Sequence, residues 1–362
     1  MKSRIRKASK IIGTNFLLMF GLLIIPELIL SKYFISSEAY NIPETLVNHN
    51  EIWDIKKIEN DSGEIKSKYS RDKNGYRPYK VPRDEDKIML TLGGSTTDQR
   101  YVDDKKTWQA IIEKYKNMSV INGGVEGQSS YGHLLAIKKW HSKVLKTNEI
   151  DKVLFYIGMN DIRFSKSLDA AKGNVYDDPT KFWKIRYFFS RRSFFYSKLK
   201  EAKFKFHTLT GYKAISPDGI TVAGHGVTNP SFLKNPIKSN FDLSTEAEAK
   251  GYRELFKVLL LTTKNTFKNS KIYIVQQQSP KCLIKDNNVF IRTSEYGINQ
   301  YCSKLASIYF AQDLVLKNLN LQNISVIKMY EDNPIPDEGF YDGYHVNSTG
   351  AYYTGKYLLD KL

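Results

Sequence analysis

From residue 87 onward, short apolar runs of strand length alternate with stretches of helical periodicity. The runs fall at residues 87–92, 119–121, 153–157, 272–275 and 324–327, and their β-branched content predicts strands. Between them, residues 108–115 and 134–145 repeat apolar positions at helical spacing. Thr245 with Glu248 three positions on forms a capping box, followed by Tyr252, Leu255, Phe256, Leu259, Leu260, Thr263 and Phe267 on one face. A further amphipathic stretch runs from Ile298 through Tyr301, Leu305, Ile308 and Tyr309. Strands alternating with helices predict βαβ units, a parallel sheet and right-handed crossovers. The expected architecture is a three-layer α/β/α domain.

The N-terminal pattern is different. Residues 11–30 are almost wholly apolar, apart from Thr14, Asn15 and Glu27, and follow Lys2, Arg4, Arg6, Lys7 and Lys10. About 20 such residues cover a bilayer core. Positive charge ahead of the span predicts a cytoplasmic tail at 1–10, a transmembrane signal anchor at 11–32 and an extracytoplasmic remainder. A cleaved signal peptide is the competing reading, because Ser36-Ser37-Glu38-Ala39 ends in small residues, yet the apolar stretch is long for one.

Residues 33–84 are polar and charge-mixed, with an Asn74-Gly75 turn signal and Pro78 and Pro82; they are expected to be a stalk and extended lead-in to a domain at 85–362. From Asp161 to Thr245 the connection is far longer than a crossover needs, which predicts an insertion at about 163–243. Within it, residues 191–206 place Phe195, Leu199, Ala202 and Phe206 on one side of a helix and basic residues on the other. Two readings stand for that stripe: a lid packed on the domain, or a face resting on a membrane or gripping substrate.

Composition narrows the function classes. A hydrophobic content of 41% excludes a disordered chain, and two cysteines, Cys282 and Cys302, are too few for a structural zinc site. In an exported domain they either pair or remain two separate buried thiols. The net charge is +17, and thirteen Lys or Arg against four acids lie between Arg163 and Lys213. Such a stretch attracts anionic lipid headgroups or an anionic glycan. An exported chain with no nucleic-acid-binding motif is not expected to bind nucleic acid.

Four fragments carry the candidate chemistry. Ser95 follows Gly93-Gly94 where the first strand ends, and the glycines permit the tight backbone that exposes a nucleophilic Oγ at a helix start. Thr97 stands where a GxSxG elbow would place glycine, and no Lys follows as a P-loop requires. Asp342 lies three residues before His345, so both side chains can emerge from one loop; His345 then takes the Ser95 proton while Asp342 fixes its tautomer. Asn347-Ser348-Thr349 can cap the terminal helix. An oxyanion formed at an ester carbonyl needs prepositioned donors, and Gly127 offers a backbone N–H and Asn160 a side-chain amide. No second His or carboxylate pair has metal-ligand spacing.

Gly93-Gly94-Ser95-Thr96, Asn122 to Gly127, the GxND of Gly158 to Asp161 and the DxxH of Asp342 to His345 stand in the order of the four blocks of the SGNH, or GDSL-type, hydrolase family, which the chain resembles over about 85–362 apart from the insertion. Gly94 stands where that family often has Asp. The resemblance implies a flavodoxin-like sheet, Ser95 as nucleophile, the N–H groups of Ser95 and Gly127 with the Asn160 amide as oxyanion hole, the Asp342/His345 pair, and no cofactor. Asn74-Gly75-Tyr76-Arg77 is similar, more loosely, to membrane-anchored bacterial members. The expected function is an extracytoplasmic, membrane-anchored serine ester hydrolase removing short acyl groups, acetyl first, from a cell-surface glycan. The alternatives are a phospholipase or lysophospholipase acting on a lipid ester, an O-acetyltransferase using the same acyl-serine, and a glycan-binding protein on a retired hydrolase fold. The C-terminal position of the Asp/His pair favours hydrolysis over transfer.

Overall fold

The computed structural model describes residues 2–30, 50–55, 58–59, 66–77, 87–116, 118–164, 182, 193–195, 199, 220–222, 232–239, 249–286, 288–294 and 297–362. Contacts divide the chain into two compact units, residues 1–38 with 181–214, and residues 39–180 with 215–362. In the first, Lys2–Leu30 is one helix, α1, and the Phe195 backbone N–H donates to the Glu27 carboxylate at 3.0 Å. Among the described residues no helix is long and apolar enough to cross a membrane; the α1 side chains described are Thr14, Asn15 and those from Leu18 onward. The helix and the apolar stripe expected at 191–206 lie largely outside the described residues.

The second unit opens with β1 (Asn50–Asp54) and β2 (Lys66–Ser70), an antiparallel pair in which Asn50 faces Ser70. The main sheet is built from β3 (Lys87–Gly93), β4 (Met118–Asn122) and β5 (Ile150–Ile157). Past β6 (Ile220–Val222) and β7 (Phe232–Lys238), it is completed by β8 (Lys271–Gln276) and, after β9 (Cys282–Lys285) and β10 (Asn288–Thr293), by β11 (Ile324–Lys328). All its pairings are parallel, in the order β4-β3-β5-β8-β11. Counted along the chain this is the 2-1-3-4-5 order of doubly wound sheets, with its switch point between β3 and β5, where such sheets bind ligands.

Helices cover both faces, so the strands are buried on both sides and read as continuous apolar runs. Alternation along the strands sorts the two cores. Ile88, Leu90, Leu92, Val153, Phe155, Ile157, Ile272 and Ile274 join one; Met89, Leu154, Tyr156, Tyr273 and Val275 join the other. Against the first pack α4 (Ser130–Ala136, continued by a π turn at Ile137–His141), α5 (Lys250–Thr266) and α6 (Ile298–Leu319). Against the second lie α3 (Trp108–Tyr115), which follows α2 (Ser95–Asp98), and α7 (Ser348–Lys361). α5 begins at Lys250, and the expected capping box at Thr245 and Glu248 lies outside the described residues. Cys282 on β9 and Cys302 on α6 are joined in a disulfide.

Within residues 33–84, expected to be a stalk and extended lead-in, the described residues 66–77 are folded into the domain. Residues 66–77 belong to the same compact unit as the sheet, and Tyr76 and Arg77 are fully buried. Tyr76 stacks on Trp140, hydrogen-bonds His141 Nδ1 at 3.0 Å, and its neighbour Asn74 accepts the Trp140 indole N–H. Arg77 N–H donates to the Asn122 carbonyl at the end of β4. The segment's charges look solvent-facing in sequence because arginine is rarely buried; here each guanidinium is satisfied internally.

His133 and His141 are wholly enclosed, and burial lowers both imidazoles to about 3. A histidine neutral in the fold but titrating near 6.5 when unfolded stabilises fully above pH 6.5 and loses that contribution as pH falls toward 3. Between pH 7 and 5 each is expected to cost about 2 kcal/mol of unfolding free energy. Urea denaturation at the two pH values checks this, with a flatter pH dependence in His133→Gln and His141→Gln; equal midpoints in the parent protein would refute it.

Candidate active site

The nucleophile candidate sits where β3 leaves the sheet. Gly93 ends the strand, and Ser95 begins α2, a helix of a single turn. Both glycines are dictated by close approach. A Cβ on Gly93 would lie 2.0 Å from Thr97 Oγ1, and one on Gly94 would lie 2.1 Å from Asn160 Nδ2. Thus the Asn160 amide occupies the space that a side chain at position 94 would need, and Asp, frequent there in the family this chain resembles, would collide with it.

The C-terminal loop delivers the base. Phe340 and Val346 form an antiparallel bridge, the Tyr341 N–H donates to the His345 carbonyl, and Asn347 caps α7 by accepting from Gly350 N–H at 3.0 Å. Within that hairpin Asp342 Oδ1 accepts the backbone N–H groups of Tyr344 and His345, both at 2.7 Å. Its other oxygen lies 2.7 Å from His345 Nδ1, and His345 Nε2 lies 2.7 Å from Ser95 Oγ. Since the carboxylate can only accept, Nδ1 carries the proton and Nε2 is left to accept the serine's. The Tyr341 ring lies nearly parallel to the imidazole, 5.7 Å between centroids. Ser95, His345 and Asp342, 250 residues apart at the extremes, form one hydrogen-bonded chain.

The expected oxyanion donors occupy the loops after β3, β4 and β5. Ser95 N–H is the first of its helix and has no partner inside it. Gly127 holds φ 72°, a left-handed conformation that favours glycine. Asn160 Nδ2 donates one hydrogen to the Gln128 carbonyl at 2.9 Å, which fixes the amide beside Gly94 and leaves its second hydrogen for an anion. Gln128 is held in turn by His133 Nδ1 at 2.8 Å. Asp161, the last residue of GxND, points elsewhere: its carboxylate accepts Ser130 N–H and Oγ–H, at 2.8 and 2.9 Å, and anchors the start of α4. Among the described residues no group of three or more His, Cys, Asp or Glu side chains could hold a metal ion.

Sequence reasoning missed the support beneath the nucleophile. Arg71 donates to Asp98 Oδ1 at 2.6 Å and to the Gly124 carbonyl at 2.5 Å, and both side chains of the ion pair are fully enclosed. Arg77 donates to Asp104 and to the carbonyls of Asp98, Gln99 and Val102. Tyr69 donates its hydroxyl to Asp98 and accepts from Arg71. Two arginines from the lead-in therefore terminate α2 and tie it to the Gly124–Gly127 loop. Asp98, three residues after Ser95, was the available signal, because a one-turn helix places it beneath the serine.

No family model and no curated protein matches this sequence. Solved structures similar to the chain include GDSL-type lipolytic proteins. One, a GDSL-like lipase from Bacteroides ovatus, is 12% identical with a TM-score of 0.39, over 80% of this chain and 54% of its own. A member of the lipolytic G-D-S-L family from Veillonella parvula is 12% identical with a TM-score of 0.39, over 75% and 96%. A GDSL-like lipase from Parabacteroides merdae is 12% identical with a TM-score of 0.40, over 78% and 98%. This chain thus spans about half the length of the Bacteroides protein. Likenesses this distant carry no weight for the chemistry, which rests on the geometry above.

Gly94→Ala is expected to push the Asn160 amide aside and slow phosphonylation of Ser95 by a fluorophosphonate probe roughly 100-fold, the scale of losing one oxyanion donor. Asn160→Ala should match it, with the double variant no slower than either single one, since both remove the same contact. Labelling of Gly94→Ala at the parent rate would refute this account of the glycine.

Proposed function

We propose that the chain is a serine ester hydrolase working through an acyl-Ser95 intermediate. The observation that carries this is the unbroken hydrogen-bonded chain from Ser95 Oγ through His345 to Asp342. His345 Nε2 takes the hydroxyl proton as Oγ attacks the ester carbonyl carbon; the carbonyl π electrons move to oxygen, facing the Ser95 and Gly127 N–H groups and the Asn160 amide. Collapse breaks the bond to the alkoxy oxygen, which leaves with the proton held by His345. Water then repeats the sequence on the acyl-serine: His345 takes its proton, hydroxide oxygen bonds the carbonyl carbon, and Ser95 departs reprotonated with release of the carboxylic acid. Asp342 balances the imidazolium at each stage.

The substrate we favour is a short acyl ester, acetyl first, on an anionic cell-surface glycan. Its support is the concentration of basic charge between Arg163 and Lys213, which suits a polymer better than a small neutral ester. We place the catalytic unit outside the cytoplasm, tethered by the N-terminal apolar segment. Two features favour that: the basic residues ahead of residues 11–30, and the Cys282–Cys302 disulfide, a bond kept in oxidising compartments.

Purified protein is expected to release acetate from p-nitrophenyl acetate and from O-acetylated glycans, with Ser95→Ala reducing turnover by at least 10³-fold. Product that appears only when an acceptor sugar is supplied would replace hydrolysis by transfer, and no Ser95-dependent turnover would sink both. Separately, alkylation of the denatured, unreduced protein from cell envelopes should leave Cys282 and Cys302 unmodified; two free thiols would overturn the extracytoplasmic placement.

A further inference from the structure

The oxyanion donors on Gly127 and Asn160 stand on separate loops, after β4 and β5, and one side chain touches both. Arg163 Nε donates to the Asn160 carbonyl at 2.8 Å, and Arg163 Nη2 donates to the Gly127 carbonyl at 3.0 Å. The link is favoured by local geometry: residues Met159–Phe164 form a 3-10 helix, in which positions three apart eclipse, so Arg163 stands over Asn160. From there its rigid fork spans to the neighbouring loop. Two N–H groups set at fixed angles on one plane hold two carbonyls at a defined separation, which a lysine ammonium cannot do.

The restraint matters because of what it grips. Gly127 has no side chain of its own to pack, and its left-handed φ is one of several conformations open to glycine. Nothing in that residue fixes the direction of its N–H. Asn160 is steadied on its side-chain end by the Gln128 carbonyl, one residue past Gly127. Arg163 closes the same two loops on their backbone ends. The Asn160 amide and the Arg163 guanidinium thus make a two-point lacing between the loops, independent of the chain from Ser95 to Asp342.

We propose that Arg163 is a positioning residue of the oxyanion hole, acting through the carbonyls of Gly127 and Asn160 to hold their donors at one spacing. This rests on the acyl-serine function proposed above. Loss of the guanidinium frees the loops, and displacement of a donor by about 1 Å is enough to slow a reaction up to 10²-fold. The competing role for a half-buried arginine beside the site is direct binding of an anionic substrate, and that role predicts the opposite kinetic pattern.

The test compares parent, Arg163→Ala and Arg163→Lys on p-nitrophenyl acetate, a neutral ester that offers no anion to bind. A positioning role predicts kcat lowered roughly 10- to 100-fold in Arg163→Ala with KM within about twofold. Arg163→Lys should fall between, and added guanidinium should restore part of the Arg163→Ala rate but none of a Ser95→Ala rate. Thermal unfolding reports whether Arg163→Ala folds; if it does not, the Arg163→Lys kcat and KM decide. Unchanged kcat on the neutral ester, or a loss confined to KM on anionic esters, would overturn the positioning role while leaving the hydrolase intact. Failure of the parent to turn over in a Ser95-dependent way would instead remove the function on which it rests.

Discussion

Everything at this site depends on the absence of two Cβ atoms. With Gly93 pressed against Thr97 and Gly94 against the Asn160 amide, the nucleophile turn lies closer to the loop after β5 than any other residue pair would allow. That contact puts Ser95 and Asn160 on either side of the switch point between β3 and β5, where adjacent strands send their connections to opposite faces of the sheet. The cleft is a property of strand order. Its use as a site follows from how little side-chain volume stands in it.

A turn that tight must be held from below, and the holding is electrostatic. Taking Arg71, Arg77, Asp98 and Asp104 out of water is costly, and their attraction offsets the cost only if every donor finds an acceptor. Here they do, with the backbone carbonyls of Asp98, Gln99 and Val102 after the nucleophile, of Gly124 in the loop after β4 and of Gly75 taking the remaining guanidinium hydrogens. Removing one member leaves a buried charge alone, a change usually costing about 3–5 kcal/mol. Such a network adds little net stability over an apolar core, but it specifies geometry, because a rigid fork accepts few arrangements of its partners.

How far the sequence discloses this follows from which forces are local. The five strands are legible because a sheet buried on both faces leaves uninterrupted apolar runs, and Ser95, His345 and Asp342 because glycines and a three-residue spacing are visible without knowing the fold. The lead-in is opaque: the partners of Arg71 and Arg77 around the nucleophile turn lie 21 to 53 residues away, and no nearby pattern distinguishes a buried arginine from a solvated one. Arg163 was hidden differently. In sequence it is one more charge in a basic stretch, whereas its links to Asn160 and Gly127 run to carbonyls, which leave no trace in side-chain chemistry. The Cys282–Cys302 pairing, open in sequence, is settled by the fold, which brings Cys282 on β9 against Cys302 on α6.

Chain order gives the hydrogen-bonded triad a temporal side. Arg71, Arg77 and Asp98 precede every strand of the main sheet except β3, while Asp342 and His345 lie within the last 21 residues of the chain. During synthesis Arg71, Arg77 and Asp98 are therefore made well before Asp342 and His345. Until His345 is made, the Ser95 hydroxyl lacks the imidazole that accepts its proton in the folded chain.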